Sequence, residues 1–300
     1  MTGQGNGAPP LRTVGLIGAG SMGAPIAGHI HRAGFELTVC DSRPEALAQF
    51  KAAGIRTTRS PADCAGCDAI FILVATAAQM HAVATGEGGI FSGIAGEGPR
   101  YIAVGSTVAP ADVDALAGAF AGTRVRVVDA PISGGVVGAR RGTLTVLAGG
   151  AAEDVAAVRP LFDSMGRTLH CGPLGAGLKT KAVNNVIAIS NLLISAEAFR
   201  IAAANGLRFE DLIPALEAGS ARNFLTRDAD YAREVYAAWS GSKAEYEAVN
   251  EIGRKDIRLA LELGKGLDLP AVESLLKLKE SIGDETLENW RSVARGGDRD

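Results

Sequence analysis

The chain is short of the residues that build disulfide-stapled, metal-bound or nucleic-acid-binding proteins. It has four cysteines in 300 residues, Cys40, Cys64, Cys67 and Cys171. They are too few and too scattered for a disulfide scaffold, and such usage fits a reducing cytoplasm. Cys64-Ala-Gly-Cys67 has C-x-x-C spacing, but no second Cys or His pair lies at a zinc-ligating interval. The four histidines form no ligand cluster either, so no metal site is expected. Basic residues are not in excess: the net charge is −3 and the pI about 5.9. Arg140-Arg141 is too short a basic run to suggest a nucleic-acid partner. A continuous membrane-length apolar run is also missing, because Val183 to Ala204 is broken by Asn184, Asn185, Ser190, Asn191, Ser195, Glu197 and Arg200. Met1 to Pro10 has neither the charged start nor the apolar core of a signal peptide and reads as a disordered leader. These absences point to a cytoplasmic protein with no membrane and no nucleic-acid partner.

What remains is enough for a large core. At 47% hydrophobic and 21% charged residues, 300 positions suggest about two domains. In the first half, β-branched runs at Thr13 to Ile17, Leu37 to Cys40, Ala69 to Val74, Ile102 to Val104, Arg124 to Val128 and Leu144 to Leu147 alternate with helical stretches. A helix at Asp154 to Ser164 and a last strand at Thr168 to Cys171 close this unit. Such alternation implies a parallel, doubly wound sheet of Rossmann type with helices on both faces. Gly172-Pro-Leu-Gly-Ala-Gly177 then punctuates the chain, and apolar residues recur afterwards at helical spacing. The expected domains are 11–172, α/β, and 173–300, all-helical. A long interdomain helix from about Leu178 to Ala204 joins them, apolar around much of its circumference. Further helices are expected at about Phe209 to Ala218, Ala221 to Ala238, Glu245 to Gly264 and Ala271 to Gly283, and a frayed tail from Arg295.

The first strand runs into Gly18-Ala19-Gly20-Ser21-Met22-Gly23, a G-x-G-x-x-G that opens a helix. In that context Gly18 allows the tight turn, Gly20 lets backbone approach a pyrophosphate, and Gly23 lets helix pack on strand. The helix start supplies amides and a positive dipole. Asp41 ends the second strand where a carboxylate can accept hydrogen bonds from a ribose diol, which favours NAD. Arg43, two residues on, keeps NADP possible through a charge-assisted contact to a 2′-phosphate.

Two further segments suggest the chemistry. Ser133-Gly134-Gly135 follows a predicted strand, at the sheet edge where ligands sit, and offers a hydroxyl and open backbone N–H groups to a substrate carboxylate. Lys181 and Asn185 stand four residues apart in a helical segment, about 40° apart around the axis and on one face. An ammonium held by an amide suits proton exchange with an alcohol, provided burial lowers its pKa toward working pH. Lys179 lies about 120° away from Asn185 and cannot share that face.

Taken in order, Gly18 to Gly23, Asp129-Ala-Pro-Ile-Ser-Gly-Gly135 with Gly142-Thr-Leu-Thr145, Gly177-x-x-x-Lys181-x-x-x-Asn185 and Lys255-Asp256-Ile-Arg-Leu-Ala260 resemble the β-hydroxyacid dehydrogenase family, over roughly residues 12 to 285. The resemblance implies that Lys181 is the general acid/base, that Asn185 orients it, and that Ser133, Gly134 and Gly135 hold the substrate. It also implies Val74, Ala75, Gln79 and Thr107 around the cofactor, and Lys255 close to the nicotinamide end. Val74-Ala75-Thr76 departs from the family's usual Leu-Pro, and Ser42 stands where NADP-using relatives usually carry Arg, which strengthens NAD. The expected substrate is a small anionic 3-hydroxy acid, with Arg222-Asn-Phe224 a candidate for its pocket, and the expected assembly a homodimer or homotetramer. An imine reductase shares the architecture but usually lacks the lysine. A 6-phosphogluconate dehydrogenase is usually far longer, with His where Asn184 stands. A silent dinucleotide-binding module has no use for both Ser133 and Lys181.

Overall fold

A computed structural model describes residues 10–296 apart from 95 and 97. Most of the expected leader and the end of the expected frayed tail lie outside the described residues. The chain divides into two units, Met1–Lys181 and Ala182–Asp300. The first carries β1 (Thr13–Ile17), α1 (Gly23–Arg32), β2 (Glu36–Cys40), α2 (Pro44–Ala52), β3 (Arg56–Thr58), β4 (Ala69–Ile72), α3 (Ala77–Thr85), β5 (Tyr101–Val104), α4 (Pro110–Ala119), β6 (Arg126–Asp129), β7 (Ile132–Ser133), α5 (Gly135–Arg141), β8 (Leu144–Gly149), α6 (Ala152–Asp163) and β9 (Gly166–Gly172).

β1 and β4 lie inside the sheet with helices over both faces, so they read as unbroken apolar runs rather than alternating ones. Val14, Leu16, Ile70 and Phe71 are fully buried. The sheet order is β3-β2-β1-β4-β5-β6-β8-β7, with β9 on β8, and β3 through β6 are parallel. From β1 the chain winds outward to β3 and then returns to β4 on the other side. That reversal leaves a crevice at the carboxyl ends of β1 and β4, the place where open α/β sheets bind ligands.

The sheet is mixed rather than wholly parallel: β8 runs antiparallel to β6 and β7. The link from β7 through the single short helix α5 is too brief for a parallel crossover. β3 escapes the sequence reading because Arg-Thr-Thr carries no apolar run.

Helix α7 (Ala176–Ala204) contains the division between the units. It is long and apolar enough to span a membrane by composition, with a mean hydropathy of 1.6 over an 18-residue stretch, yet it carries Lys181, Asn184 and Asn185 in its first half. The second unit continues with α8 (Phe209–Ala218), α9 (Ala229–Ser240), α10 (Lys243–Leu263), α11 (Pro270–Ser281) and α12 (Asp284–Ala294). Its core is aromatic: Trp290 packs against Tyr236, Trp239 and Tyr246, and the buried Tyr236 hydroxyl donates to the Leu192 carbonyl at 2.7 Å.

Two helix assignments differ from expectation. α9 begins at Ala229, not Ala221, because a turn closes before it: Thr226 Oγ1 accepts from Asn223 N–H and Asn223 Oδ1 accepts from Leu225 N–H. Asp228 then caps the helix, accepting from Tyr231 N–H at 2.6 Å. α12 was not anticipated, although acidic Asp284 and Glu285 open it and Leu287, Trp290 and Val293 line its buried face.

Candidate active site

The turn after β1 is shaped by close approaches. Gly18 has φ +101°, and a Cβ there would lie 2.1 Å from the Leu73 carbonyl oxygen; a Cβ on Gly23 would lie 1.9 Å from that of Gly18. Neither position tolerates a side chain, so strand, turn and α1 are drawn tightly together. α1 starts with no side-chain cap and no acid in its first turn. Its amides and dipole are thus left for an anion, and the residues present fit a dinucleotide pyrophosphate.

Asp41, 8% exposed, stands beside this turn and braces it. Its Oδ2 accepts from Ala19 N–H at 2.8 Å and its Oδ1 from Arg43 N–H at 2.9 Å. The Arg43 guanidinium adds a fork, Nε to Oδ1 at 3.1 Å and Nη2 to Oδ2 at 3.2 Å. Burial pushes the Asp41 pKa up, but the bonds from the Arg43 side chain and backbone and from Ala19 outweigh it and hold the carboxyl below its ordinary value.

The segment after β4 is ordered by its own polar groups. Val74 N–H donates to Ser106 Oγ at 2.9 Å. Gln79 Oε1 accepts from Ala75 N–H at 2.9 Å and Thr76 N–H at 3.2 Å, while Thr76 Oγ1 accepts from Gln79 N–H. This capping box starts α3 and shows how the loop closes without the family's usual Leu-Pro. The Gln79 carbonyl thus serves the loop itself. Thr107 directly follows the buried Ser106.

The anchor segment and the lysine helix share one support. Asp129, fully buried at the end of β6, accepts from Gly175 N–H at 2.7 Å and from Leu178 N–H at 2.8 Å. Its carboxylate therefore caps the first turn of α7. Burial dominates its environment and raises its pKa despite these donors. Immediately beyond it the chain forms β7, and Gly134 and Gly135, at the start of α5, adopt φ +128° and +61°. Ser133 is half-buried, Lys181 is 9% exposed, and Lys179 is exposed.

In the second unit Asn185, one turn beyond Lys181 on α7, donates from Nδ2 to Asp256 Oδ2 at 2.5 Å and accepts from Asn184 Nδ2 at 3.1 Å. Asp256, nearly fully buried, is also 3.6 Å from the Lys255 ammonium. Arg222 is exposed and paired with Glu217 at 2.9 Å. Cys40, Cys64 and Cys67 are buried free thiols. The hydrogen bond with Cys40 and burial drive the Cys64 thiol up, and burial raises Cys67, so both act as packing residues. Among the described residues no cluster of three His, Cys, Asp or Glu could hold a metal.

Comparison with known proteins decides the family. Residues 13–173 match the family model for the NAD binding domain of 6-phosphogluconate dehydrogenase, and residues 175–283 match that for the NAD-binding region of NADP-dependent 3-hydroxyisobutyrate dehydrogenase. The chain belongs to the β-hydroxyacid dehydrogenase family. Its relatives include an NAD-dependent L-serine dehydrogenase of Pseudomonas aeruginosa, 34% identical over 77% of this chain and 75% of the relative. A 3-hydroxyisobutyrate dehydrogenase of the same organism is 31% identical over 84% of this chain and 85% of its own. The crystal structure of 3-hydroxyisobutyrate dehydrogenase from Salmonella typhimurium aligns with a TM-score of 0.74 at 26% identity, covering 90% of this chain and 93% of the other.

Membership in the β-hydroxyacid dehydrogenases supports NAD(P)-dependent dehydrogenase activity on a 3-hydroxy acid, with NAD bound and NADP possible. Three polar residues of this family member were given no role from the sequence: Ser106, Asp129 and Asp256. Asp129 and Asp256 each lie within a quoted motif, so an ionisable residue among motif glycines or beside a motif lysine was the available signal; Ser106 had none.

Proposed function

We propose that this chain oxidises the hydroxyl-bearing carbon of a small 3-hydroxy acid, reversibly, with Lys181 as general acid/base. One observation carries the reading. Asp129 both leads into the Ser133 to Gly135 segment and caps the first turn of α7, so a single buried carboxylate fixes the substrate anchor and the lysine helix together. Ser133 Oγ and the N–H groups of Gly134 and Gly135 hold the substrate carboxylate. Lys181, kept from bulk water, takes the hydroxyl proton during oxidation and returns it during reduction. Asn185, its carboxamide turned by Asp256, fixes the polar surroundings one turn along the helix. The glycine turn and Asp41 hold the dinucleotide, with Val74, Ala75 and Thr107 along the same sheet edge. When bound, the nicotinamide supplies the two-electron carrier.

The names of the relatives guide the substrate panel: 3-hydroxyisobutyrate, L-serine and L-threonate, with glycerate added as a further small 3-hydroxy acid. Initial rates of NADH formation at 340 nm should show turnover of at least one of them by the wild-type chain. No turnover of any, together with reduction of cyclic imines by NADPH, would replace this reading with an imine reductase.

A further inference from the structure

α1 and α2 start beside the glycine turn and Asp41, and they end at the opposite, amino edge of the sheet, where Arg32 leads to β2 and Ala52 to β3. Between their last turns and the end of α5 lies a groove of about 410 Å³. Phe50 and Ile55 line its apolar part, His29, His31, Arg32 and Arg140 its polar part, and no Asp or Glu lines it. His29 ties the two arginines together. Its Nε2 lies 3.2 Å from the Arg140 carbonyl oxygen and its Nδ1 lies 3.0 Å from Arg32 Nη2. A carbonyl only accepts and a guanidinium only donates, so the ring is the neutral tautomer with its proton on Nε2. Packing fixes the ring too: a Cβ on Gly142, left-handed at φ +68°, would fall 2.7 Å from His29 Cε1. The Arg32 guanidinium folds back along α1, where a Cβ on Gly28 would lie 3.2 Å from its Nη1.

Basic residues in a last helical turn commonly serve the terminal carbonyls. Neither arginine does so here. Arg32 donates to a ring nitrogen, the Arg140 side chain meets no partner among the described residues, and neither is paired with a carboxylate there. Two permanent positive charges from separate elements therefore line one groove, and the neutral acceptor that holds Arg32 leaves its charge whole. We propose that this groove is a second ligand site, taking a small phosphate monoester. Arg32 and Arg140 bind the phosphate dianion, and the carbon body rests against Phe50 and Ile55. A carboxylate, with one charge and two oxygens, is satisfied by a single guanidinium fork, whereas a phosphate has oxygens and charge for both arginines. The space is that of a small-molecule pocket, roughly 300 to 1,000 Å³.

Calorimetric titration with glycerol 3-phosphate and with inorganic phosphate, each with and without saturating NAD, tests the site without catalysis. Wild type should bind glycerol 3-phosphate with a Kd of about 1 mM or tighter, and NAD should change that affinity by less than about 2-fold, since the crevice lies at the other edge of the sheet. Arg32→Gln and Arg140→Gln should each weaken binding by about 5-fold or more, and the double variant should abolish it. Both side chains are exposed, so the variants should fold, as thermal melting will show. Glycerol 3-phosphate binding about 3-fold or more above inorganic phosphate upholds the ester as occupant; equal affinities uphold the phosphate site with the free ion as its source. Binding that survives in the double variant overturns the proposal. Displacement by NAD also overturns it, by placing the phosphate in the glycine turn, and so does capture of a glutamate-rich peptide with neither phosphate ligand bound.

Discussion

Asp129 Oδ2 lies 2.8 Å from the backbone nitrogen of Leu178, across 49 residues of sequence. The contact is crowded as well as charged: a Cβ on Gly177 would fall 2.8 Å from that same oxygen and 2.0 Å from the Leu147 carbonyl. Asp129→Asn should therefore lower the melting temperature by several degrees, since an amide NH2 would oppose one helix N–H. Asp129→Ala should destabilise by on the order of 3 kcal/mol, having left two buried donors without their acceptor. Gly177→Ala should destabilise too, although it keeps the carboxylate. Melting curves of the three variants check this, and wild-type stability in all of them would show that the cap is dispensable.

Lys181 and Lys179 offer a matched pair on one helix, one buried and one exposed. Lys181→Met should cut turnover by about 100-fold or more while leaving NADH affinity within about 2-fold. Lys179→Met should leave both nearly unchanged. Steady-state rates combined with NADH fluorescence titration separate the two effects, and near-normal turnover in Lys181→Met removes the lysine from the chemistry.

Lys279 is a buried cation in the helical unit, 1% exposed. Its ammonium donates to Asn250 Oδ1 at 2.6 Å and lies 5.4 Å from the centre of the Trp290 ring. Burial, and then the Arg254 charge, push its pKa from 10.5 down to about 8. A depressed lysine favours the folded state when neutral, so its contribution is present above the unfolded pKa and is lost as pH falls through about 8. Wild-type stability should thus rise between about pH 8 and 10.5 relative to Lys279→Met, by on the order of 3 kcal/mol. Denaturant unfolding of both proteins across that range measures it; parallel pH profiles would contradict the expectation.

Helix α7 buries Leu192, Leu193, Ala196 and Phe199 but leaves Val183, Ile187, Ile194 and Ile201 between 58% and 66% exposed. The last three recur every seven residues, the spacing of a helix-pairing seam. A second copy of the same chain is expected to cover this stripe, giving at least a dimer by sedimentation velocity. Ile194→Glu should shift the population toward monomer, and a monomeric wild type would end the idea.

The sequence discloses what is local. Gly18, Gly20 and Gly23 lie within one turn, and Lys181 and Asn185 within one helix, so spacing alone relates them. Long-range partners do not show this way: Ser106 meets Val74 across 32 residues, Asp129 meets Gly175 across 46, and Asn185 meets Asp256 across 71. No periodicity links such positions, and each pairing exists only once the sheet or bundle has formed. β3 and β7 were missed for a related reason. They are held by neighbouring strands more than by their own propensity, and β7 lies inside a stretch read as a ligand anchor.

The cap on α7 also bears on how this chain can be divided. A fragment cut at Gly172, where the glycine-rich punctuation invites it, would keep Asp129 in the sheet but discard the two amides that receive its charge. Such a piece would hold a buried carboxylate with nowhere to spend its lone pairs. An autonomous nucleotide-binding fragment has to run past Leu178, and so takes the beginning of the lysine helix with it.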